Sequence, residues 1–162
     1  MRSAAIVLGL LAALSVGCKR APENATPEGA ATELLAALEA MATDPARSKD
    51  ALALLGPVTS KNLEGRAQRA SKVEGRTLSA AQYLAGVRYL PKTRVAKLTV
   101  TPGGGASGPL PAQAEVAEIT ATDDQGRDLV HLTAVKQGEL WRIELPLPDM
   151  QPLQKRANQR PN

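Results

Sequence analysis

Phenylalanine is absent from this chain of 162 residues, and Trp141, Tyr83 and Tyr89 are its only aromatic residues. A core must therefore be built from Leu, Val, Ile and Ala, and a platform for stacking nucleic-acid bases lacks the rings it would need. There is one cysteine and one histidine. A single cysteine excludes an internal disulfide and a multi-cysteine metal site. A single histidine is too few for a His-rich metal site. No Gly-x-Ser-x-Gly nucleophile elbow occurs. The glycine-rich stretch from Pro102 to Pro111 is not followed by the basic or hydroxyl residues at a helix start that a phosphate cradle requires, and reads as a loop between strands. The net charge of +4 is far from that of a dedicated nucleic-acid binder. No cofactor, metal or nucleic-acid partner is expected.

The longest apolar run, Ala4 to Leu14, follows a single positive charge at Arg2. It has the shape of a secretory signal and is short of the roughly 20 residues a membrane span takes. It ends at Ser15-Val16-Gly17-Cys18, with Lys19-Arg20 directly behind. Small residues before a cysteine leave room for a peptidase, and the thiol is a nucleophile for a lipid group. This segment resembles the lipobox of bacterial lipoproteins, with Leu14 one position further from the cysteine than the common leucine. The resemblance implies cleavage after residue 17 and acylation of Cys18. The expected organisation is a signal peptide over 1–17, a lipidated cysteine and tether over 18–26, one domain over 27–148, and a disordered basic tail over 149–162. Eight extended residues, Cys18 to Ala25, reach about 28 Å at most.

The first half of the domain reads as helical. Thr26-Pro27-Glu28 supplies a hydroxyl N-cap, a proline at the first helical position and an acid in the first turn. Leu34, Leu35, Leu38 and Met41 then recur at helical spacing. Asp44-Pro45 repeats the cap for a second helix, which Gly56-Pro57 ends. Thr59-Ser60 is expected to start a third helix that runs to about Glu74. Ser79-x-x-Gln82 forms a capping box for a fourth, running to about Arg88 or Tyr89 before Pro91.

The second half alternates with a period of two, from Val95 to Val100 and again after Ala114. Two-residue turns centred on Gln125-Gly126 and Gln137-Gly138 fix a trial register. Asp124 then faces Arg127, and Lys136 faces Glu139. Ala121 meets Val130, Ile119 meets Leu132, and Ala117 meets Ala134. On the other hairpin Ala134 meets Trp141, Leu132 meets Ile143, and Val130 meets Leu145. All nine residues share one face of a three-stranded meander. The opposite face receives Glu118, Thr133 and Arg142 in one row, and Thr120, His131 and Glu144 in the next. A one-residue slip in either turn would mix the two sets.

Helices followed by an antiparallel sheet predict an α+β domain with helices on the apolar sheet face. In this order of elements, and in its closing Glu139-Leu140-Trp141-Arg142-Ile143-Glu144-Leu145, the chain resembles small lipoproteins of the nuclear-transport-factor-2-like, or cystatin-like, cone superfamily. The resemblance implies a curved sheet and helices around a pocket, in which Trp141, Ile143, Leu132 and Ile119 would line the wall. Enzymes of that superfamily carry proton-transferring side chains on this face, and here the face is apolar. A polar cluster of His131, Glu144, Glu118 and Arg142 is the sharpest candidate for acid–base work. It can equally be a cross-strand surface pair, and its position away from the helices favours that second reading. A basic stripe of Arg66, Arg69, Lys72 and Arg76 on the third helix is the candidate interaction surface, with a solvated helix face as the alternative. Charge is uneven along the chain: eleven Lys/Arg against three acids from Arg47 to Lys97, and three against eight from Ala112 to Asp149.

The expectation is a non-enzymatic envelope lipoprotein in the cell membrane or outer membrane, its domain on the periplasmic or extracellular side. It would bind an envelope protein or an apolar ligand. Two alternatives stand beside it, a pocket enzyme of isomerase or hydrolase type and a structural protein that forms a homodimer through the outer sheet face. Substituting Cys18→Ala should abolish incorporation of a labelled fatty acid in a bacterial host. Persistent labelling of that variant would exclude acylation at this residue.

Overall fold

A computed structural model describes residues 22–87, 94–103 and 114–148. Among the described residues, four α-helices precede a four-stranded antiparallel sheet, so the fold is α+β as expected. Helix α1 is Pro27–Thr43, α2 is Ser48–Ala53, α3 is Pro57–Glu74 and α4 is Ala80–Gly86. The strands are β1, Lys97–Pro102; β2, Val116–Thr122; β3, Asp128–Gln137; and β4, Leu140–Glu144. They form a meander in the order β1-β2-β3-β4. Cys18, Tyr89, the central part of the glycine-rich loop and the tail after 148 lie outside the described residues.

Most helix ends follow their local chemistry. The Thr26 hydroxyl accepts from the Gly29 amide at 3.0 Å and starts α1. Asp44 accepts from the Ala46 amide at 3.0 Å. It caps a 3-10 turn, Pro45–Arg47, which leads into α2. The Ser79/Gln82 capping box is present in both directions at the start of α4. Helix α1 buries Ala30, Ala31, Leu34, Leu38 and Met41, and it contacts all four strands. Its apolar stripe packs on the sheet face that carries Ala117, Ile119, Leu132, Ala134, Trp141 and Ile143.

The third helix begins differently from expectation. It starts at Pro57, two residues before Thr59, and its N-cap is Gly56, which offers no side-chain hydrogen bond. The cap comes instead from the far end of the domain. The buried Glu144 carboxylate accepts from the Val58 amide at 3.0 Å and the Thr59 amide at 2.6 Å. Thr59 is inside the helix, where its hydroxyl accepts from the Leu145 amide at 2.8 Å. The segment between α2 and α3 also pairs with the sheet. The Gly56 amide donates to the Ile143 carbonyl at 2.8 Å, and the Ile143 amide to the Leu54 carbonyl at 3.0 Å. This parallel bridge, Leu55 to Ile143, covers part of the free edge of β4. A β-carbon at Gly56 would collide with the Glu144 carboxylate, so the close approach needs glycine there.

The meander keeps the expected faces but corrects both turns. Asp123, not Asp124, closes the first turn with Arg127, through an Asp123 amide to Arg127 carbonyl bond of 3.0 Å. Three residues make the loop, with Gly126 at φ 76°. Thr122 then opposes Asp128, and a bulge intervenes before Ala121 opposes Val130. The bulge takes up the extra turn residue, so the expected pairs Ile119–Leu132 and Ala117–Ala134 are present.

In the second hairpin the central residues are Gly138 and Glu139, between Gln137 and Leu140. Glycine in the first central position, at φ 63°, suits a type II′ turn. The expected Lys136–Glu139, Ala134–Trp141, Leu132–Ile143 and Val130–Leu145 pairs are therefore replaced. Lys136 opposes Trp141 and Ala134 opposes Ile143. The register differs from the expected one by two residues, an even number, so the same side chains still face the helices.

Loss of the Glu144 cap should be measurable. We expect Glu144→Ala to destabilise the domain by about 1–3 kcal/mol, because two amides lose a charged acceptor. Glu144→Gln, which keeps one acceptor, should cost less. Gly56→Ala should also destabilise, and combining it with Glu144→Ala should cost less than the two singly. Urea midpoints test this, and strict additivity would show that Gly56 and Glu144 act independently.

Candidate interaction surface and polar clusters

The expected polar cluster does not assemble. On β4, Glu144 opposes Thr133, in a row with Glu118, while Arg142 opposes Val135. His131 opposes Thr120 instead, and its Nδ1 lies 3.2 Å from the Thr120 hydroxyl. Its Nε2 is 3.6 Å from Asp128, with both side chains exposed. Glu118 is exposed. Glu144 and Arg142 both turn to the α2–α3 connection. The Arg142 guanidinium donates to the carbonyl of Ala53, the last residue of α2, as Glu144 takes the first amides of α3. A cation at a helix C-terminus and an anion at an N-terminus each complement the helix dipole. Helix ends in need of partners lie beside β4, and these two side chains satisfy them.

Trp141, Ile143, Leu132 and Ile119 are all buried in the same core cluster. They share the sheet face covered by α1, and partly buried Leu98, Val130, Tyr83 and Leu145 pack against that cluster. Lys136 lies over the Trp141 ring at 5.7 Å from its centre and pairs with Glu115 at 2.7 Å. The tryptophan thus ends the core under a charged rim.

A buried acid missed in the sequence is Asp123. Its side chain is fully buried, and it accepts from the Gln125 and Arg127 amides at 2.9 Å each. It also meets the Arg127 guanidinium at 2.7 Å. The Arg127 amide holds this carboxyl below the ordinary aspartate value of 3.8; burial opposes the effect, and the Arg127 side chain and the Gln125 amide add to it. The signal was an Asp three residues before a turn glycine, the pattern of an Asx turn.

Helix α3 buries Thr59, Leu63 and Ala67 and packs against α4 and β4. Arg66, Arg69 and Lys72 lie outside that buried face, with Lys72 exposed. Arg66 donates to Asn62 at 2.6 Å and to the Pro148 carbonyl. Arg76 departs from the expected stripe, because the helix ends at the left-handed Gly75 and Arg76 folds back onto Glu74 at 2.7 Å. Val73 was not among the expected surface residues, yet it is 80% exposed. The angular spacing of 100° per residue would have placed it among the cations.

No group of His, Cys, Asp and Glu among the described residues is arranged to hold a metal ion. No described helix is long and apolar enough to cross a membrane. No protein-family model, curated protein or solved structure matches the chain.

The Asp123 cluster gives a pH prediction. A folded-state pKa below the ordinary value stabilises the fold above pH 3.8, and the contribution is lost as pH falls through the folded-state value. Asp123→Asn keeps an acceptor for the two amides but removes the charge. It should lower the melting temperature at neutral pH and flatten its decline in acid. An acid limb identical to that of the parent would show that Asp123 does not contribute to it.

Proposed function

We propose that the chain is a lipid-anchored lipoprotein of the bacterial envelope whose domain acts by binding an envelope protein or an apolar ligand. The anchor is Cys18, at the end of an apolar run that resembles a lipobox. One structural observation favours binding over catalysis: the two buried carboxylates among the described residues are committed to backbone amides, Glu144 to α3 and Asp123 to its turn. A carboxylate engaged in this way is poorly placed to exchange a proton with substrate. The position of α1 across all four strands supports a cone-type reading of the fold. In this reading Trp141 and its buried neighbours form the wall nearest an apolar ligand, and the exposed surfaces serve a protein partner.

Native mass spectrometry of residues 19–162, exported without lipid and purified gently from periplasm, tests the proposal. A discrete added mass, recovered chemically unchanged, supports a carried ligand. A bare monomer directs the search to protein partners, with crosslinking in intact cells as the readout. Recovery of a chemically altered ligand would replace the binding reading with an enzymatic one.

A further inference from the structure

We propose that the outward face of α3 docks on the anionic phospholipid headgroups of the membrane that carries the chain; this rests on the lipid-anchored reading above. At 100° per residue, Lys61, Arg66, Arg69, Lys72 and Val73 fall within an arc of roughly 140°. The two acids of the helix, Glu64 and Glu74, fall outside that arc. Among the helix's own residues this arc therefore carries cations and no acid; Lys61 and Lys72 are exposed, and its apolar residue is the most exposed large hydrophobic side chain among the described residues. Cations whose stems flank an exposed valine suit a surface of phosphate groups over acyl chains.

Helix stability does not account for the pattern. The macrodipole favours cations in the last turn, which covers Lys72, but it disfavours Lys61 near the positive N-terminal end. Nor does it explain an exposed Val73. The chain's path supports the docking geometry. The turn Glu23–Ala25, where the tether meets the domain, contacts β4, and α3 packs on the same strand. Arg66 holds the Pro148 carbonyl, so the end of the last described segment also lies beside this face. Beyond it the sequence carries Lys155, Arg156 and Arg160 against a single acid, Asp149. Short tethering raises the local concentration of headgroups, so weak docking suffices.

The test uses the full acylated chain reconstituted in vesicles. With Cys18 acylated, Gly65→Cys offers a single thiol in the middle of the face for an environment-sensitive fluorophore, and Gln125→Cys offers one at the β2–β3 turn as a control. We expect a blue shift at position 65 in phosphatidylcholine–phosphatidylglycerol vesicles, absent in phosphatidylcholine alone and reversed by high salt. Position 125 should not respond. Lys61→Gln and Lys72→Gln should each reduce the docked fraction's equilibrium constant about fivefold. Equal emission from position 65 in both kinds of vesicle would overturn the docking proposal while leaving the anchor intact. A chain that fails to float with neutral vesicles would overturn the anchor instead. Flotation with phosphatidylglycerol vesicles then decides docking alone, its absence overturning that too.

Discussion

The carboxylate of Glu144 is the tie on which the arrangement of helices over sheet depends. It lies at the end of the last strand, yet it caps a helix that began some eighty-five positions earlier in the chain. Its partners reinforce it from both sides. The Thr59 hydroxyl returns a bond to the strand backbone, Gly56 and Leu54 pair with Ile143, and Arg142 reaches the end of α2. An edge strand, a helix start and a helix end would each otherwise expose unsatisfied backbone groups. Bringing them together satisfies all three at one seam. The apolar core supplies the driving force for collapse, but burial alone does not orient α3. The directional bonds at β4 do.

Whatever depended on periodicity was legible in the sequence. Leu34, Leu38 and Met41 are buried on α1, and the alternating residues of the meander share the helix-covered face. Local caps were legible too, because Thr26, Asp44 and Ser79 each bond within a few residues of themselves. The start of α3 was not. A glycine followed by proline reads locally as the end of one helix, and the group that makes it the start of another is remote. Thr59 has the chemistry of an N-cap, but its hydroxyl is engaged by Leu145. The turns failed in a different way. Placing glycine second rather than first at Gly138 moved the register by two residues, and an even displacement preserves the faces while changing every opposing partner.

That error in register accounts for the polar cluster. In the expected register Glu144 stood beside His131, which suggested acid–base chemistry. In the structure Glu144 lies opposite Thr133, and Asp128 is the acid near His131. Charged residues on an edge strand have a choice of partners. Their cross-strand neighbours compete with backbone groups of whatever element lies alongside, and two amides at a helix N-terminus are a better partner for a carboxylate than an exposed imidazole.

The same competition separates the two kinds of charge in this domain. Glu144 on β4 and Asp123 at the β2–β3 turn are drawn inward, where amides and, for Asp123, a guanidinium satisfy them. Several cations of α3 stay outward, because the inward face of that helix is filled by Thr59, Leu63 and Ala67. Fixing the N-terminus of α3 at Glu144 sets the rotation of the helix about its axis, and with it the direction in which Lys61, Lys72 and Val73 point. A bond buried at one end of the helix thereby determines what its outer surface presents. The positive character of that surface follows from the packing constraint, and does not require the domain as a whole to be strongly basic.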